Sequence, residues 1–334
     1  MRFLLTDEQC DFARTVRSLL ASAEVPETAR AWAGGDHAPG RALWSRLART
    51  GLFALAAPES YEGMGLHPLE LALGFVELGR AGVPGPVVET AAVSVLLAEL
   101  GDEAVAKRFL PGLVAGEASA TLTVPYGSPY ALDADAATYR FTVSTAGELR
   151  LAGRAPGAPL RSTDPTRRLS LPAAGGELLA SGPRVTAAAE AAGRWARLLT
   201  AAQCLGVGEA LLARTVEYAK QRTQFGTPIG GFQAVKHRLA DTLLGLEFAR
   251  PLVWAAGLSP APGDVAAAKL AAGESCYRAA MAALQLHGAV GYTQELDLSL
   301  WLRKARPLRD AWGTPSACRA EVLRGTFGAA RGGT

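Results

Sequence analysis

The sequence is poor in the residues that build metal centres and disulfide frameworks. Its 334 residues include only four cysteines and four histidines. The cysteines are far apart, and none belongs to a Cys-x-x-Cys pair. Scattered thiols of this kind are typical of a reducing compartment, so we expect free cysteines, a cytoplasmic location and no metal site.

Long hydrophobic runs and an excess of one charge are also missing. The apolar stretch 83–100 is interrupted by Pro84, Pro86 and Glu89, which makes it a poor membrane span. The 34 basic and 31 acidic residues nearly cancel and leave a net charge of +3. This balance gives no reason to expect nucleic acid or an anionic membrane as a partner.

What the sequence does have is a large apolar fraction arranged in three segments. Apolar residues make up 49% of the chain and charged residues 19%, which favours a sizeable buried core over disorder. Residues 1–116 and 186–330 space their apolar side chains as amphipathic helices do, and the second segment predicts an antiparallel bundle of long helices. Residues 117–185 are rich in glycine and proline and contain short alternating runs, which predicts a small β module.

Two motifs in the C-terminal segment carry residues that suit a nucleotide ligand. Arg222-Thr223-Gln224-Phe225-Gly226 stands at the end of a predicted long helix, where a guanidinium fork is well placed for a phosphate group. Gln285-Leu286-His287-Gly288 ends a later helix, and a glycine there lets the backbone approach a planar or phosphate ligand. Either motif alone is more typical of a helix terminus and turn, but the two together are far more specific.

Further segments accompany these two motifs in a fixed order along the chain. They are Leu5–Gln9, Gly51–Glu59, Tyr218–Ile229, Phe232–Ala234, Leu239–Asp241, Gly291–Tyr292 and Leu302–Arg306. The combined pattern resembles the acyl-CoA dehydrogenase family over nearly the whole chain, and it weakens only in the middle segment. The resemblance implies a mainly α fold with an N-terminal helical domain (1–116), a shortened middle domain with a reduced β-barrel (117–185) and a C-terminal four-helix bundle (186–330).

The resemblance also implies a cofactor and the residues that contact it. Members of the family assemble as tetramers and bind FAD across a dimer interface. One subunit holds the isoalloxazine ring, and the C-terminal helices of its neighbour hold the pyrophosphate and adenosine. By position, Thr314 matches a contact to the chain's own flavin. The residues that match contacts to the neighbour's FAD are Arg222, Gln224, Phe225, Phe232, Gln233, Gln285 and Gly288.

The chain departs from the family at the catalytic base. Family members remove the α-proton of the substrate with a glutamate while the flavin takes the β-hydrogen as hydride. The usual position of that glutamate, just before Gly313-Thr314, is Trp312 here, and an indole cannot accept a proton. The alternative position of the base on the long C-terminal helix falls on Ala196. We therefore predict no catalytic residue in this chain.

The features that hold the flavin ring are reduced as well. The family's Thr-Glu-Pro and Gly-Ser-Asp segments survive only as Thr123-Val124-Pro125 and Gly127-Ser128-Pro129. The tryptophan-bearing strand that backs the ring has no counterpart in residues 150–165, and Ala289 replaces the second glycine of a Gly-Gly pair. The losses affect ring binding and chemistry, whereas the contacts to a neighbour's FAD remain. This asymmetry is similar to that of bacterial α2β2 members that oxidise steroid side-chain CoA thioesters.

We therefore expect a subunit of a heteromeric FAD-dependent acyl-CoA dehydrogenase that lacks the catalytic base. A base-bearing homologue would be its partner, an acyl-CoA thioester its substrate, and a separate protein such as an electron-transfer flavoprotein its electron acceptor. The first alternative is a homomeric dehydrogenase or oxidase with an atypical base, for which Glu190, Asp310 and His287 are candidates. The second alternative is a scaffold or binding subunit without flavin.

Overall fold

The structure is a computed structural model that describes residues 4–154 and 157–328. Helical, β-rich and again helical segments follow one another along the chain, in the order that the sequence predicts. One hydrophobic core runs through the helical parts and includes the inner face of the β module.

Six helices and a short strand pair form the N-terminal part. The elements are α1 (Asp7–Ala21), α2 (Val25–Ala33), α3 (Ala38–Ala48), β1 (Ala56–Ala57), β2 (Gly65–Leu66), α4 (Pro68–Ala81), α5 (Val87–Leu100) and α6 (Glu103–Val114). Thr6 caps α1, because its Oγ1 accepts a hydrogen bond from Gln9 N while the Gln9 side chain accepts one from Thr6 N. Helix α5 is buried almost throughout, since it lies against α6, α7 and the first strand of the β module.

A four-stranded sheet and a separate strand pair form the middle part. The strands are β3 (Ala120–Thr123), β4 (Ala131–Leu132), β5 (Tyr139–Val143), β6 (Glu148–Leu151), β7 (Leu169–Ser170) and β8 (Glu177–Ser181). The sheet has the order β3-β5-β6-β8, in which β3 and β5 are parallel and the other neighbours are antiparallel. Strands β4 and β7 pair separately. Because β3 packs on α5, the loop that follows β3 lies close to the helical core.

Five helices and a small hairpin form the C-terminal part. They are α7 (Pro183–Gln221), β9 (Thr223–Gln224), β10 (Thr227–Pro228), α8 (Gln233–Leu258), α9 (Pro262–His287), α10 (Leu298–Asp310) and α11 (Pro315–Gly328). The 39-residue α7 packs on α4 and α5 of the N-terminal part and on α8, α9 and α10 of its own bundle. Helix α7 therefore joins the two helical parts of the molecule.

Helices α4 and α7 touch through their backbones. A Cβ at Gly206 would lie 1.9 Å from the Val76 carbonyl oxygen, and one at Gly79 would lie 2.3 Å from that of Gln203. Both distances are shorter than any side chain tolerates, so only glycine fits at either position. The contact fixes the spacing of the two helical parts.

Helix α7 is long and apolar enough to cross a membrane by length and composition alone. However, 78% of its most apolar stretch is buried inside the structure. Such burial is typical of the central helix of a helical bundle, because other helices cover it on all sides. Within the described residues, no group of three or more His, Cys, Asp or Glu side chains is placed to hold a metal ion.

Asp133 is a fully buried carboxyl group at the junction between the β module and the N-terminal helices. It adopts a left-handed conformation with a φ of +49°, and its Oδ1 accepts a hydrogen bond from Arg168 N at 3.1 Å. Its Oδ2 is buried without a hydrogen-bond partner among the described residues. Burial raises the pKa of Asp133 to about 7, although the hydrogen bond from Arg168 acts in the opposite direction.

We predict that Asp133 makes the folded state less stable as the pH rises from about 4 to about 7. The folded state keeps the proton up to about pH 7, whereas the unfolded chain releases it near pH 4. The stabilising contribution of the proton is therefore complete below about pH 4 and is lost as the pH rises to about 7. A shift of this size corresponds to at most about 4 kcal/mol. Melting temperatures recorded between pH 4.5 and pH 8 measure this loss of stability.

The Asp133→Asn variant should lose this component of the pH dependence, and the exposed Asp11→Asn variant serves as the control. A melting temperature that varies with pH in the same way in the wild-type protein and in Asp133→Asn would contradict the assignment.

Candidate functional site

The loop between α10 and α11 holds Trp312 in a left-handed conformation. Trp312 has a φ of +55° and Gly313 one of +150°, so the chain turns sharply before α11 begins. Lys269 Nζ on α9 donates hydrogen bonds to the carbonyl oxygens of Arg309 (2.7 Å) and Gly313 (3.2 Å). Arg197 Nε on α7 donates to the Trp312 carbonyl oxygen at 3.0 Å. Two cations of the bundle therefore fix the backbone on both sides of the indole.

The indole itself reaches α5. Its Nε1 donates a hydrogen bond to Glu89 Oε1 at 3.0 Å. Glu89 is only 4% exposed, and its Oε2 is buried without a hydrogen-bond partner among the described residues. The sequence reasoning missed this contact, because 223 residues separate the two side chains. The available signal was Glu89, a carboxylate inside the mostly apolar run 87–98 of α5.

Neither of the two positions considered for the base carries a proton acceptor. The indole N–H of Trp312 donates and has no basic lone pair. Ala196 is buried on α7 and has no titratable group. The guanidinium of its neighbour Arg197 donates one hydrogen bond to the Trp312 carbonyl oxygen and another, at 2.6 Å, to the carboxylate of Glu321 on α11.

The three atypical base candidates lie in different surroundings. Glu190 is exposed on α7. Asp310 accepts a hydrogen bond from Arg306 at 3.1 Å on the outside of α10. His287 is buried with its Nδ1 2.8 Å from the Ala283 carbonyl oxygen, and burial lowers the pKa of its imidazole. Asp310 and His287 are thus engaged in local contacts.

The segment before β7 is fastened to α10 by a buried ion pair. Lys304 Nζ donates hydrogen bonds to Asp164 Oδ2 (3.0 Å) and to Thr166 Oγ1 (2.8 Å). Burial is the largest single influence and opposes ionisation of Asp164, but the Lys304 charge and the hydrogen bonds from Thr166 and Lys304 together lower the pKa of the carboxyl group. The segment just before β7 therefore has a buried structural contact with α10.

The hairpin after α7 presents the first group of predicted cofactor residues. Phe225 at its tip has a φ of +53° and a side chain that is 94% exposed. Arg222 and Gln224 are exposed beside it, and within the described residues the Arg222 guanidinium has no ion pair or hydrogen bond. The ring of Phe232 lies with its centroid 6.3 Å from that of Phe225, and the exposed Gln233 follows as the first residue of α8. An uncompensated cation on the same hairpin as exposed aromatic rings suits an anionic, aromatic ligand.

The second group of predicted cofactor residues lies where α9 ends. Gln285 is exposed on the last turn, and Gly288 ends the helix with a φ of +61°. A Cβ at Gly288 would meet no atom within 4 Å, so the surface beside it is open. Thr314 lies elsewhere, on the loop next to Trp312, where its Oγ1 accepts a hydrogen bond from Ala317 N at 3.3 Å.

The geometry fits FAD on one face and not on the other. At the hairpin and the end of α9, free polar and aromatic side chains face outward and can hold a nucleotide. At the loop before α11, the indole N–H is bonded to Glu89 Oε1 while Glu89 Oε2 has no hydrogen-bond partner among the described residues, and neither of the two positions considered for the base carries a proton acceptor. The exposed groups at the hairpin and at the end of α9 are chemically suited to a nucleotide, whereas neither Trp312 nor Ala196 can act as a base.

The sequence matches known protein domains over both helical parts. Residues 6–117 match the acyl-CoA dehydrogenase N-terminal domain, and residues 186–326 match the acyl-CoA dehydrogenase C-terminal domain. The chain is 36% identical over 323 residues to the acyl-CoA dehydrogenase IpdE2 of Mycobacterium tuberculosis. That match covers 95% of this chain and 96% of the relative.

Solved structures show the same fold over the whole length. A chain of the ChsE4-ChsE5 complex from Mycobacterium tuberculosis has a TM-score of 0.82 and 25% identity, and the match covers 98% of this chain and 99% of that one. The steroid ACAD Tcur3481-Tcur3483, as its G363A variant, has a TM-score of 0.83 and 25% identity, with 97% and 99% covered. The predicted fold is therefore confirmed. The chain belongs to the acyl-CoA dehydrogenase family, whose members are FAD-dependent oxidoreductases that act on the CH–CH bond of acyl-CoA thioesters.

Proposed function

We propose that this chain is the subunit without a catalytic base in a heteromeric FAD-dependent acyl-CoA dehydrogenase. It holds the adenosine and pyrophosphate end of the FAD that its partner carries. The partner supplies the glutamate that removes the α-proton of the acyl-CoA. The observation that supports this proposal best is the indole of Trp312, which stands at the position of the base and donates its N–H to Glu89.

The exposed side chains of the hairpin after α7 and of the end of α9 have distinct roles in this proposal. Arg222 binds the pyrophosphate through charge-assisted hydrogen bonds, which are stronger than neutral ones. Phe225 and Phe232 cover the nucleotide and exclude water from it, and Gln285 adds a hydrogen bond at the open end of α9. FAD, when bound, supplies the acceptor for the hydride that leaves the β-carbon.

A separate apolar surface is suited to the partner subunit. Leu244, Phe248 and Leu252 on α8 line a shallow groove together with Met281 on α9. All four are exposed, and Phe248 is 73% exposed. Contiguous exposed apolar side chains of this kind mark protein interfaces, because their burial is favourable. This surface supports an oligomer built through the C-terminal helices.

The similar structures support the nature of the partner and of the substrate. One of them is named as a complex of two different chains, and another as a steroid ACAD. We therefore propose a base-bearing homologue as partner, in an α2β2 assembly, and a CoA thioester with a bulky or steroid side-chain acyl group as substrate. A separate acceptor such as an electron-transfer flavoprotein would reoxidise the flavin, and the complex would work in the cytoplasm.

Co-expression with a base-bearing homologue tests the proposal directly. We expect the chain purified alone to contain little FAD and to show no turnover, because it offers one end of a cofactor site and no base. The mixed complex should contain FAD and oxidise an acyl-CoA. The measurements are the flavin absorbance per chain and the acyl-CoA-dependent reduction of an artificial electron acceptor. FAD at one equivalent per chain with turnover in the isolated protein would refute the proposal.

The Arg222→Ala variant should weaken FAD retention in the mixed complex. The loss of a charge-assisted contact predicts a drop in affinity of about 1.5–3 kcal/mol, or roughly 13- to 160-fold. Titration of the FAD-free complex with FAD measures it. The exposed Arg49→Ala, on the N-terminal part, serves as the control and should bind FAD normally. Equal FAD affinities in Arg222→Ala and Arg49→Ala would show that Arg222 does not contact the cofactor.

The Trp312→Glu variant should not become an efficient enzyme. It places a second carboxylate beside the buried Glu89 and removes the hydrogen bond from the indole, and a base requires placement as well as a suitable pKa. The assay uses a complex whose partner carries Gln in place of its catalytic glutamate, so that only the new side chain can act as base. We expect no turnover above background and a lowered melting temperature. Turnover close to that of the native complex would show that this site can host the chemistry.

A further inference from the structure

A cleft lies between α7, the end of α9 and the start of α10, and none of the residues predicted to bind FAD lines it. Its volume is about 710 Å³, which is in the usual range for a small-molecule site. Ala210, Leu296 and Leu298 form its apolar lining, and Arg214 and His287 are its principal polar groups. An apolar lining with a few convergent polar groups is typical of ligand sites.

His287 is the most deeply buried polar group of the cleft. Its side chain is 6% exposed and stacks on Tyr218, with the two ring centroids 4.1 Å apart. The Ala283 carbonyl oxygen, 2.8 Å from Nδ1, can only accept a hydrogen bond, so Nδ1 carries the proton of the neutral ring and Nε2 keeps a lone pair. Burial lowers the pKa of His287, which favours this neutral form.

The lone pair on His287 Nε2 is free to accept a hydrogen bond from a ligand. Nε2 has no hydrogen-bond partner among the described residues, and it does not belong to the polar atoms that the structure encloses completely. A nearly buried acceptor without a partner is costly unless water or a ligand supplies a donor. The cleft is the side from which such a donor can reach it, because His287 lines it.

Arg214 is a cation of the cleft without a counter-ion. Its guanidinium carbon lies 3.9 Å from the ring centroid of Trp301, whose Nε1 donates a hydrogen bond to the Arg80 carbonyl oxygen at 2.9 Å. In the part of the chain that the structure describes, the Arg214 guanidinium has no ion pair or hydrogen bond. Stacking uses only one face of the guanidinium, so the N–H groups at its edge remain available to a carboxylate.

The remaining charges of the cleft determine which ligand fits it. Three of the charged side chains are already paired within the chain; they are Arg80, Glu217 and Asp297, whose partners are Glu77, Lys220 and Arg30. The exposed Glu295 has no ion pair among the residues described. Arg214 and Glu295 therefore leave one unpaired charge of each sign, and His287 adds an acceptor. A ligand that complements them carries a negative group, a positive N–H donor and an apolar part between the two.

We propose that this cleft binds a small zwitterion in which a short apolar chain joins a carboxylate to an ammonium group. The carboxylate pairs with Arg214, and the ammonium group donates to His287 Nε2 and pairs with Glu295. Arg214 and Tyr218 are one helical turn apart on α7, and His287 lies against Tyr218, so a chain of about four to eight carbons spans the site. The site is separate from the proposed FAD contacts and does not depend on the proposed function.

Calorimetric titration of the purified chain with ω-amino acids of increasing length tests the proposal. We expect saturable binding with an optimum within this series. The fatty acid and the alkylamine of the same length each lack one charged group and should bind at least about tenfold more weakly, because each loses a charge-assisted hydrogen bond. Equal binding of the three compounds, or no binding of any ω-amino acid at millimolar concentrations, would overturn the proposal and leave the proposed subunit role intact.

Two variants assign the ends of the ligand. Arg214→Met keeps an unbranched side chain over Trp301 without the charge, and it should lower the affinity at least about tenfold. His287→Phe keeps a ring against Tyr218 without the acceptor, and it should lower the affinity about three- to tenfold. The control is Arg184→Met, which removes an exposed arginine near the other end of α7 and should bind as the wild-type protein does.

Wild-type affinity in Arg214→Met, or an equal loss in Arg184→Met, would show that the zwitterion binds elsewhere and would overturn the assignment. The comparison of ω-amino acid, fatty acid and alkylamine uses only the wild-type chain. It therefore remains decisive if either cleft variant does not fold.

Discussion

The position of the Trp312 loop depends on one buried ammonium group. Lys269 Nζ is almost completely enclosed and has no carboxylate within ion-pair distance among the described residues. Burial lowers the pKa of Lys269, since the protein interior disfavours its charge. The group is compensated by carbonyl oxygens at the C-terminal end of α10, where the helix dipole favours a cation. Helix α9 thereby sets where α10 stops, how the chain turns, and which side chain faces Glu89.

This arrangement separates the chain into a closed side and an open side. On the closed side, the Trp312 indole, Glu89, Lys269 and Arg197 form hydrogen bonds within the chain. On the open side, a guanidinium, two phenylalanine rings and an amide face outward at the ends of α7 and α9. Both sides are built on the same helices, so the chemistry can be lost from one without damage to the other. In the proposed heteromeric enzyme, this separation would be the physical basis for a division of labour between two homologous chains.

Much of the fold could be predicted from the sequence, because capping residues, helical periodicity and glycine- or proline-rich segments act over short stretches of chain. Thr6 and Gln9 form the expected cap of α1, and the glycine- and proline-rich middle segment forms the short strands. The Arg222 and Gln285 motifs lie at helix ends as predicted, since they act through residues close in sequence. The Trp312–Glu89 contact, the capping of α10 by Lys269 and the raised pKa of Asp133 were not foreseen. Each depends on side chains that only the packing of distant helices brings together.

The backbone contact between α4 and α7 has a consequence for motion in this molecule. Gly79 and Gly206 lie directly against backbone carbonyl groups of the opposing helix, with no side chain between the two backbones. Sliding of α4 along α7 is therefore blocked at these two positions. The exposed hairpin after α7 can rearrange on assembly without disturbing this contact.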